Sequence, residues 1–171
     1  VRCFARFLRQ QQAPELASRL GAVPFAVPET FCERPVGAKS DRVVAIGRWS
    51  DPQKDSPLLA AALEHFFRTR PGTEVFVFGA DAEPAMGALA KREPRLRLAG
   101  IQEPHTIAEA IAASRVLLLT SRWETGPHVA TEALALGATL VSVPMPNLDG
   151  MIERGRFGTA AGGRRPEVLA A

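Results

Sequence analysis

The chain has 171 residues, of which 46% are hydrophobic and 23% are charged. This composition is typical of one folded globular domain and unlike that of a disordered segment. Lys and Arg outnumber Asp and Glu by 21 − 18 = 3, but the basic residues are scattered and do not alternate with aromatic ones, so nucleic-acid binding is not expected. The small excess is compatible with a phosphate-bearing ligand or an anionic membrane surface.

The cysteines and the two ends of the chain indicate its setting. Cys3 and Cys32 are too few for a disulfide framework and lack metal-ligand spacing, which favours a reducing, cytoplasmic location. No apolar run reaches the ~20 residues of a membrane span, and charges interrupt the first residues, unlike a secretion signal. The first residue is Val1 rather than Met, and the residues from Pro166 look like a helix that is just beginning, so we expect a piece of a longer protein.

The chain alternates between strand and helix patterns from about residue 43. Residues 1–42 hold one short helical pattern at 14–20 and then a Pro-rich segment, and we interpret them as a linker and partial lead-in. The elements predicted after it are strand Val43–Ile46, helix Ser56–Thr69, strand Glu74–Phe78, helix Glu83–Arg92, strand Arg95–Ala99, helix Thr106–Ser114, strand Arg115–Thr120, a helix from Pro127, strand Thr139–Val143, helix Leu148–Arg154, strand Phe157–Ala160 and a helix from Pro166. Such alternation is typical of right-handed βαβ crossovers and predicts an α/β fold with a doubly wound parallel sheet.

The first ligand candidate lies between the first regular strand and its helix. In the stretch from Gly47 to Lys54, Arg48 and Lys54 are placed to converge on one diphosphate, because a guanidinium bridges oxygens while an ammonium acts as a mobile point charge. The alternative is that both are solvated surface bases. The turn lacks the Gly-Lys-Ser/Thr ending of a Walker loop, and the chain has no Gly-x-Gly-x-x-Gly after a strand, so neither usual nucleotide cradle is expected.

A pair of carboxylates follows the most apolar predicted strand. Glu124 stands in the loop at that strand's carboxyl end, the edge at which open α/β sheets bind ligands, and Glu132 follows after seven residues. Glu132 has mostly apolar neighbours, so its carboxylate needs a partner such as sugar hydroxyls, which donate two hydrogen bonds side by side. The alternative is a loop residue and an exposed helix residue with no ligand.

The helix between the two carboxylates predicts a backbone anion or polyol site. Pro127 suits the first helical turn, and Gly126 leaves room for a ligand near the backbone. The amides of His128 and Val129 are then expected to be free of backbone partners and to point into the cleft at the positive end of the helix dipole. The His128 side chain is a further candidate for the same ligand.

Two other features were weighed for a role in the cleft. Trp49 and Trp123 each follow an Arg at a strand end, and we expect interior packing for both, with a place in the cleft wall as the alternative. No Asp-x-Asp follows a strand, and no His/Cys/Asp cluster has metal-ligand spacing, so no metal site and no cofactor are expected.

Taken together, these motifs resemble the C-terminal donor-binding half of a retaining glycosyltransferase of the GT-B architecture, in the group 1 family that has two glutamates separated by seven residues. The matching features run from about Val43 to Ala171 and are Gly47-Arg48 followed by Lys54, the strand ending in Gly79, the turn Leu98-Ala-Gly-Ile101, and Glu124 with Glu132-Ala133 before Gly137. The family more often has an aromatic residue and then Gly after the first Glu, where this chain has Thr125-Gly126-Pro127-His128. The resemblance implies the Rossmann-like half of a GT-B fold over 43–171.

The resemblance also implies roles for single residues. Arg48 and Lys54 hold the donor diphosphate, Glu124 contacts the transferred sugar, Glu132 the ribose, and the backbone near Ile101 the base. The expected reaction is metal-independent transfer of a hexose from a nucleoside diphosphate sugar, with fixed cations stabilising the leaving group. The acceptor site belongs to an N-terminal domain that this chain lacks, so the fragment alone is expected to be inactive.

Two other classes of function were compared with this one. A noncatalytic Rossmann-like module that binds a nucleotide or a partner stays as the alternative, against which the four intact residues Arg48, Lys54, Glu124 and Glu132 argue. A Rossmann oxidoreductase is disfavoured by the missing glycine fingerprint. The partners expected are a nucleotide-sugar and the acceptor domain of the same polypeptide, in the cytoplasm, with association to the inner face of a membrane as an alternative for the full-length protein.

Overall fold

The computed structural model describes residues 26–33, 37–145, 148, 152 and 157–170. The short helix predicted at 14–20 lies outside these residues, as do most of the lead-in segment 1–42 and most of the helix predicted at 148–154. In the described residues, no helix is long and apolar enough to cross a membrane.

The described part of the chain alternates between strands and helices as the sequence predicts. Its elements are a 3-10 turn Glu29–Phe31, β1 (Ser40–Ile46), a 3-10 turn Pro52–Lys54, α1 (Ser56–Thr69), β2 (Glu74–Phe78), α2 (Ala82–Arg92), β3 (Leu96–Gly100), α3 (Pro104–Ala113), β4 (Ser114–Leu119), α4 (His128–Ala135), β5 (Thr139–Ser142), β6 (Gly158–Ala160) and α5 (Pro166–Ala170). Many bounds match the predicted ones, and nearly all of the others differ by one or two residues. The largest shift is at β1, which begins three residues early because Ser40 already pairs with Ser114 of β4.

The strands form one parallel sheet in the order β3-β2-β1-β4-β5-β6. In the middle of it, Val43 pairs with Val75 on one side and with Val116 on the other. Helix α1 contacts α2 and α5 in one layer, and α3 contacts α4 and the Glu29–Phe31 turn in the other. This is a doubly wound sheet, and the prediction of that fold class is confirmed.

The core explains why the strands take these places. Val44, Val75, Leu117 and Leu140, from four neighbouring strands, have no exposed surface, as expected for strands covered by helices on both faces. Leu59 and Leu63 of α1 are buried against the sheet, one helical turn apart on one face. The two interior strands β1 and β4 therefore give a rigid base to the loops at their carboxyl ends.

The loop after β1 is fixed to the end of β2. The Gly47 amide donates to the Phe78 carbonyl at 3.1 Å, and the indole N–H of Trp49 donates to the same carbonyl at 3.0 Å. Trp49 is 4% exposed, so the predicted interior packing of this ring is confirmed. Gly79 has a φ of 108°, and a Cβ there would lie 1.9 Å from the Gly47 carbonyl oxygen, so only glycine fits this close approach.

Candidate active site

The candidate site lies where the loop after β1 meets the loop after β4. These two strands are neighbours in the sheet, and β2 and β5 lie on their outer sides. The crossovers from β1 and β4 therefore run in opposite directions, which opens a crevice between the two loops at the carboxyl ends of the strands. The predicted position of Glu124, in the loop between β4 and α4, is confirmed.

Lys54 and Glu124 meet in this crevice. Lys54 Nζ lies 2.7 Å from Glu124 Oε1, and the two side chains are 18% and 9% exposed. The side-chain amide of Gln53 donates through Nε2 to Glu124 Oε2 at 3.3 Å and to the Trp123 carbonyl at 2.7 Å. The structure thus brings together a cation and a carboxylate that are 70 residues apart in sequence, and it holds them largely away from water.

A short 3-10 turn sets the position of the lysine. The Asp51 side chain accepts from the Gln53 amide at 2.9 Å, Pro52 occupies the first turn, and the Lys54 amide donates to the Asp51 carbonyl at 2.9 Å. Asp and Pro favour this conformation because one supplies the cap and the other a fixed φ. The turn ends at Asp55, which is left-handed at φ 51°, and α1 follows.

Arg48 stands on the outer side of the same loop. Its side chain is 77% exposed, and its guanidinium lies 3.5 Å from the Asp51 carboxylate. An exposed pair of this length contributes about 0.2–1 kcal/mol at most, so the guanidinium can leave it for a stronger anion at little cost. The structure places Arg48 and Lys54 in one loop, and it pairs each of them with a carboxylate.

The start of α4 differs in detail from the prediction. Pro127 is the N-cap, with ψ at 80°, and the helix begins at His128. The His128 amide donates to the Gly126 carbonyl at 2.8 Å, so the prediction that this amide is free is wrong. The reason is the backbone of Pro127, which is not helical and closes a tight turn. Val129 is half-buried in the first turn and Pro127 is buried, while the His128 side chain is exposed.

Glu132 is half-buried on α4. Burial raises the pKa of its carboxyl group above the usual value, and the nearby charge of His128, one turn earlier, partly offsets this effect. An ionised carboxylate is therefore costly here without a donor. The predicted need for a hydrogen-bonding partner at Glu132 agrees with this position.

Ile101 and Trp123 are exposed at the same edge of the sheet. Ile101 follows β3 and is 78% exposed, and β3 is separated from β1 by one strand, so Ile101 lies roughly 10 Å from the crevice at the usual strand spacing. Trp123 is 54% exposed, so the predicted interior packing of this ring is wrong. Its carbonyl is held by Gln53, which fixes the loop while the ring stays at the surface.

Three residues that sequence reasoning did not select contribute to the site. Gln53 binds the Glu124 carboxylate, and Thr120 Oγ1 donates to the Lys54 carbonyl at 2.8 Å. Arg164, from the segment before α5, reaches the base of the loop after β4. Gln53 stands next to Lys54 in the stretch that the sequence had already indicated as a ligand loop, so its position could have identified it. Nothing in the sequence relates Arg164 to either loop. Among the described residues, no group of three His, Cys, Asp or Glu could hold a metal, and the metal-independent reaction stays a prediction.

The parallel sheet in this order, with a charged crevice at its switch point, defines a Rossmann-like domain. The chain belongs to the family described as "Glycosyl transferases group 1", whose sequence model matches residues 40–171. No curated protein sequence matches it.

Two solved structures are similar to this fold. The crystal structure of TarM has a TM-score of 0.70 at 17% identity over 80% of this chain and 28% of that one. The crystal structure of Anabaena Alr3699/HepE in complex with UDP and glucose has a TM-score of 0.68 at 19% identity over 93% of this chain and 50% of that one. The chain thus spans half or less of the length of these structures. The predicted fold, the Rossmann-like half of a GT-B glycosyltransferase, is confirmed.

Proposed function

We propose that this chain is the donor-binding domain of a retaining glycosyltransferase, and that it binds a nucleoside diphosphate sugar in the crevice between the loops after β1 and β4. The observation that carries the proposal is the 2.7 Å pair between Lys54 and Glu124 at the switch point. The pair places a cation that can bind phosphate beside a carboxylate that can accept hydrogen bonds from sugar hydroxyls. A sugar–phosphate bond presents these two groups, phosphate and sugar, next to each other.

The diphosphate is bound by the loop after β1. Lys54 can exchange a carboxylate oxygen for a phosphate oxygen without moving far, and Arg48 can leave its exposed pair with Asp51 to bridge a second phosphate. When the sugar–phosphate bond breaks, negative charge gathers on the diphosphate, and the two cations of this loop stabilise it there. They supply the charge stabilisation that a metal ion gives in other transferases.

The two glutamates bind the rest of the donor. Glu124, once Lys54 engages phosphate, accepts hydrogen bonds from hydroxyls of the transferred sugar, and its charge favours the positive character that develops on the ring. Glu132 accepts from the ribose hydroxyls, which removes the cost of its half-buried charge. The HepE structure contains UDP and glucose, which supports a donor of this class.

The remaining contacts extend along the carboxyl edge of the sheet. Gly126, Pro127, His128 and Val129 at the start of α4 line the sugar side, with the His128 side chain rather than its amide facing the ligand. The backbone near Ile101 contacts the base. The acceptor binds to a further domain of the same polypeptide, so this chain alone binds donor but does not turn it over. The full-length enzyme acts in the cytoplasm, with association to the inner face of a membrane as the alternative.

Calorimetry on the 171-residue chain with UDP, GDP, ADP and the matching nucleosides tests this function. Arg48→Ala and Lys54→Ala should each weaken the diphosphate by about one to two decades, since a hydrogen bond to a charged group is worth roughly 1.5–3 kcal/mol. They should leave the nucleoside almost unchanged. Lys91→Ala, which removes an exposed lysine from α2, is the matched control and should bind as wild type.

The glutamate variants separate the subsites. Glu132→Ala should weaken diphosphate and nucleoside equally, and Glu124→Ala should affect only the intact nucleotide-sugar. The proposal would be overturned if all four alanine variants, at Arg48, Lys54, Glu124 and Glu132, bound these ligands as the wild type does. It would also be overturned if the wild-type chain bound no nucleoside diphosphate at millimolar concentration. Donor binding without any turnover by the full-length protein would instead favour the noncatalytic module.

A further inference from the structure

An ionic cluster behind the Lys54–Glu124 pair joins three separate parts of the chain. Its centre is the Asp55 carboxylate, which is 8% exposed. Arg164 Nη2, from the segment that precedes α5, lies 2.7 Å from Asp55 Oδ2, and Arg122 Nε, from the loop after β4, lies 3.3 Å from the same oxygen. The cluster stands directly beside the candidate site, because Asp55 follows Lys54.

The side chain of Asp55 binds the two arginines and does not cap helix α1. It stands at the N-cap of α1, where an Asp side chain commonly accepts a hydrogen bond from the first turn. Its side chain makes no such bond, and its backbone is left-handed at φ 51° and ψ 55°. Burial raises the pKa of Asp55, but the hydrogen bond from Arg164 and the charge of Arg122 more than reverse this, so the pKa lies below its usual value. The carboxylate is therefore kept ionised for the arginines.

Arg164 also holds the backbone of the loop after β4. Its Nη1 donates to the Ser121 carbonyl at 2.9 Å, and its Nη2 donates to the Thr120 carbonyl at 2.8 Å. Thr120 and Ser121 are 3% and 2% exposed, so these carbonyls are poorly placed to find water. A planar guanidinium can serve three acceptors in fixed directions, whereas a lysine ammonium has the charge without the fork.

The segment that Arg164 binds, which begins at Thr120, also fixes the turn that carries Lys54. Thr120 Oγ1 donates to the Lys54 carbonyl at 2.8 Å, and the Arg122 amide donates to the Gln53 carbonyl at 2.7 Å. Two neighbouring carbonyls of the turn that carries Lys54 thus accept hydrogen bonds from the loop that carries Glu124. Arg164 connects to the same turn a second time through Asp55.

We propose that Asp55 and Arg164 are positioning residues of the donor site, which keep the loops after β1 and β4 in the register that places Lys54 beside Glu124. The inference rests on the proposed function, since it takes the Lys54–Glu124 pair as the site. The hydrogen bonds of Arg164 go to Asp55, Thr120 and Ser121, so it acts on the pair through these residues. Its loss displaces the cation and the carboxylate relative to each other.

The first test needs no ligand. Urea denaturation of wild type, Lys54→Met, Glu124→Gln and the double variant gives the coupling between the two side chains, and the cycle is repeated with Arg164→Met. The coupling free energy between Lys54 and Glu124 should be clearly above zero when Arg164 is present and close to zero in the Arg164→Met variant. Arg165→Met, which removes the neighbouring, 71% exposed arginine, is the matched control and should leave it unchanged. If Arg164→Met does not fold, Arg164→Lys takes its place, and loss of coupling is expected there too, since lysine lacks the fork.

The second test uses UDP and uridine as probes. Arg164→Lys should weaken UDP about tenfold, the loss of roughly one hydrogen bond to a charged group, and leave uridine almost unchanged. With Lys54→Ala already present, it should weaken UDP no further. Unchanged coupling in the first test, or equal losses for UDP and uridine in the second, would show a purely structural role and overturn the inference. If wild type binds no UDP, the proposed function fails, and the coupling cycle still decides whether Arg164 positions the pair.

Discussion

Removing the ammonium group of Lys54 should destabilise the protein as well as weaken donor binding. The Lys54 and Glu124 side chains are 18% and 9% exposed and 2.7 Å apart. Breaking a buried pair costs about 3–5 kcal/mol, and breaking an exposed one about 0.2–1 kcal/mol. These exposures place the pair nearer to the buried limit, with a discount for the water that still reaches the lysine, so Lys54→Met should lower the free energy of unfolding by about 3 kcal/mol.

Urea denaturation measures this loss directly. With an m-value of roughly 2–3 kcal/mol/M, which is typical of a domain this size, the midpoint should fall by about 1 to 1.5 M at unchanged m. Lys91→Met is the matched control. Lys91 is exposed in the last turn of α2, so its replacement should change the free energy of unfolding by no more than about 0.5 kcal/mol.

The double variant Lys54→Met/Glu124→Gln separates stability from function. It removes both charges, so no uncompensated carboxylate is left in the crevice, and most of the lost stability should return. Donor binding should not return, because the phosphate and sugar contacts are both gone. A Lys54→Met variant with the wild-type midpoint would refute the reasoning, since it would mean that Glu124 does not depend on the lysine.

Three further predictions concern other parts of the site. Burial raises the pKa of Glu132, so the free energy of unfolding falls as pH rises from the ordinary pKa of 4.5 to the raised value. Glu132→Gln should therefore stabilise the protein near pH 7. Urea titrations at several pH values should show a smaller fall in the variant than in the wild type. Gly79→Ala should cost about 3 kcal/mol or more, since its Cβ would lie 1.9 Å from the Gly47 carbonyl oxygen at a φ of 108°, and a wild-type melting temperature would contradict this. Arg48→Ala should leave the urea midpoint unchanged, because its side chain is 77% exposed, while UDP affinity in calorimetry drops about tenfold.

The regular part of the fold was predictable because local patterns agree with the global structure. The bounds of α1 and β2 match the prediction because each is set by sharp sequence signals: Ser-Pro opens the helix, and Pro71-Gly72 separates it from the strand. The sequence alone also placed Arg48 and Lys54 in the loop after β1, Glu124 in the loop after β4 and Glu132 in the helix that follows. The order of the strands in the sheet, and with it the switch point between β1 and β4, depends on tertiary pairing and was not predicted.

The contacts within the site could not be read from the sequence, because they depend on distances between remote residues. The Lys54–Glu124 pair spans 70 residues and the Arg164–Asp55 pair spans 109, and no local pattern fixes either. The error at Pro127 has a different cause. Proline suits the first helical position, but its observed ψ of 80° places it one residue before the helix, and local preference does not distinguish these two positions. Trp123 is exposed, and its backbone carbonyl is held by the Gln53 side chain, a tertiary contact that the local sequence does not show.

A crystal structure of the chain with UDP bound tests the central claim most directly. The diphosphate should lie in the crevice between the loops after β1 and β4, within hydrogen-bond distance of Lys54 Nζ and the Arg48 guanidinium, with the ribose hydroxyls on the Glu132 carboxylate. The Lys54–Glu124 distance should lengthen from 2.7 Å as the lysine engages phosphate. UDP bound elsewhere on the sheet, or in the crevice with its phosphates directed away from both cations, would contradict the assignment of this site.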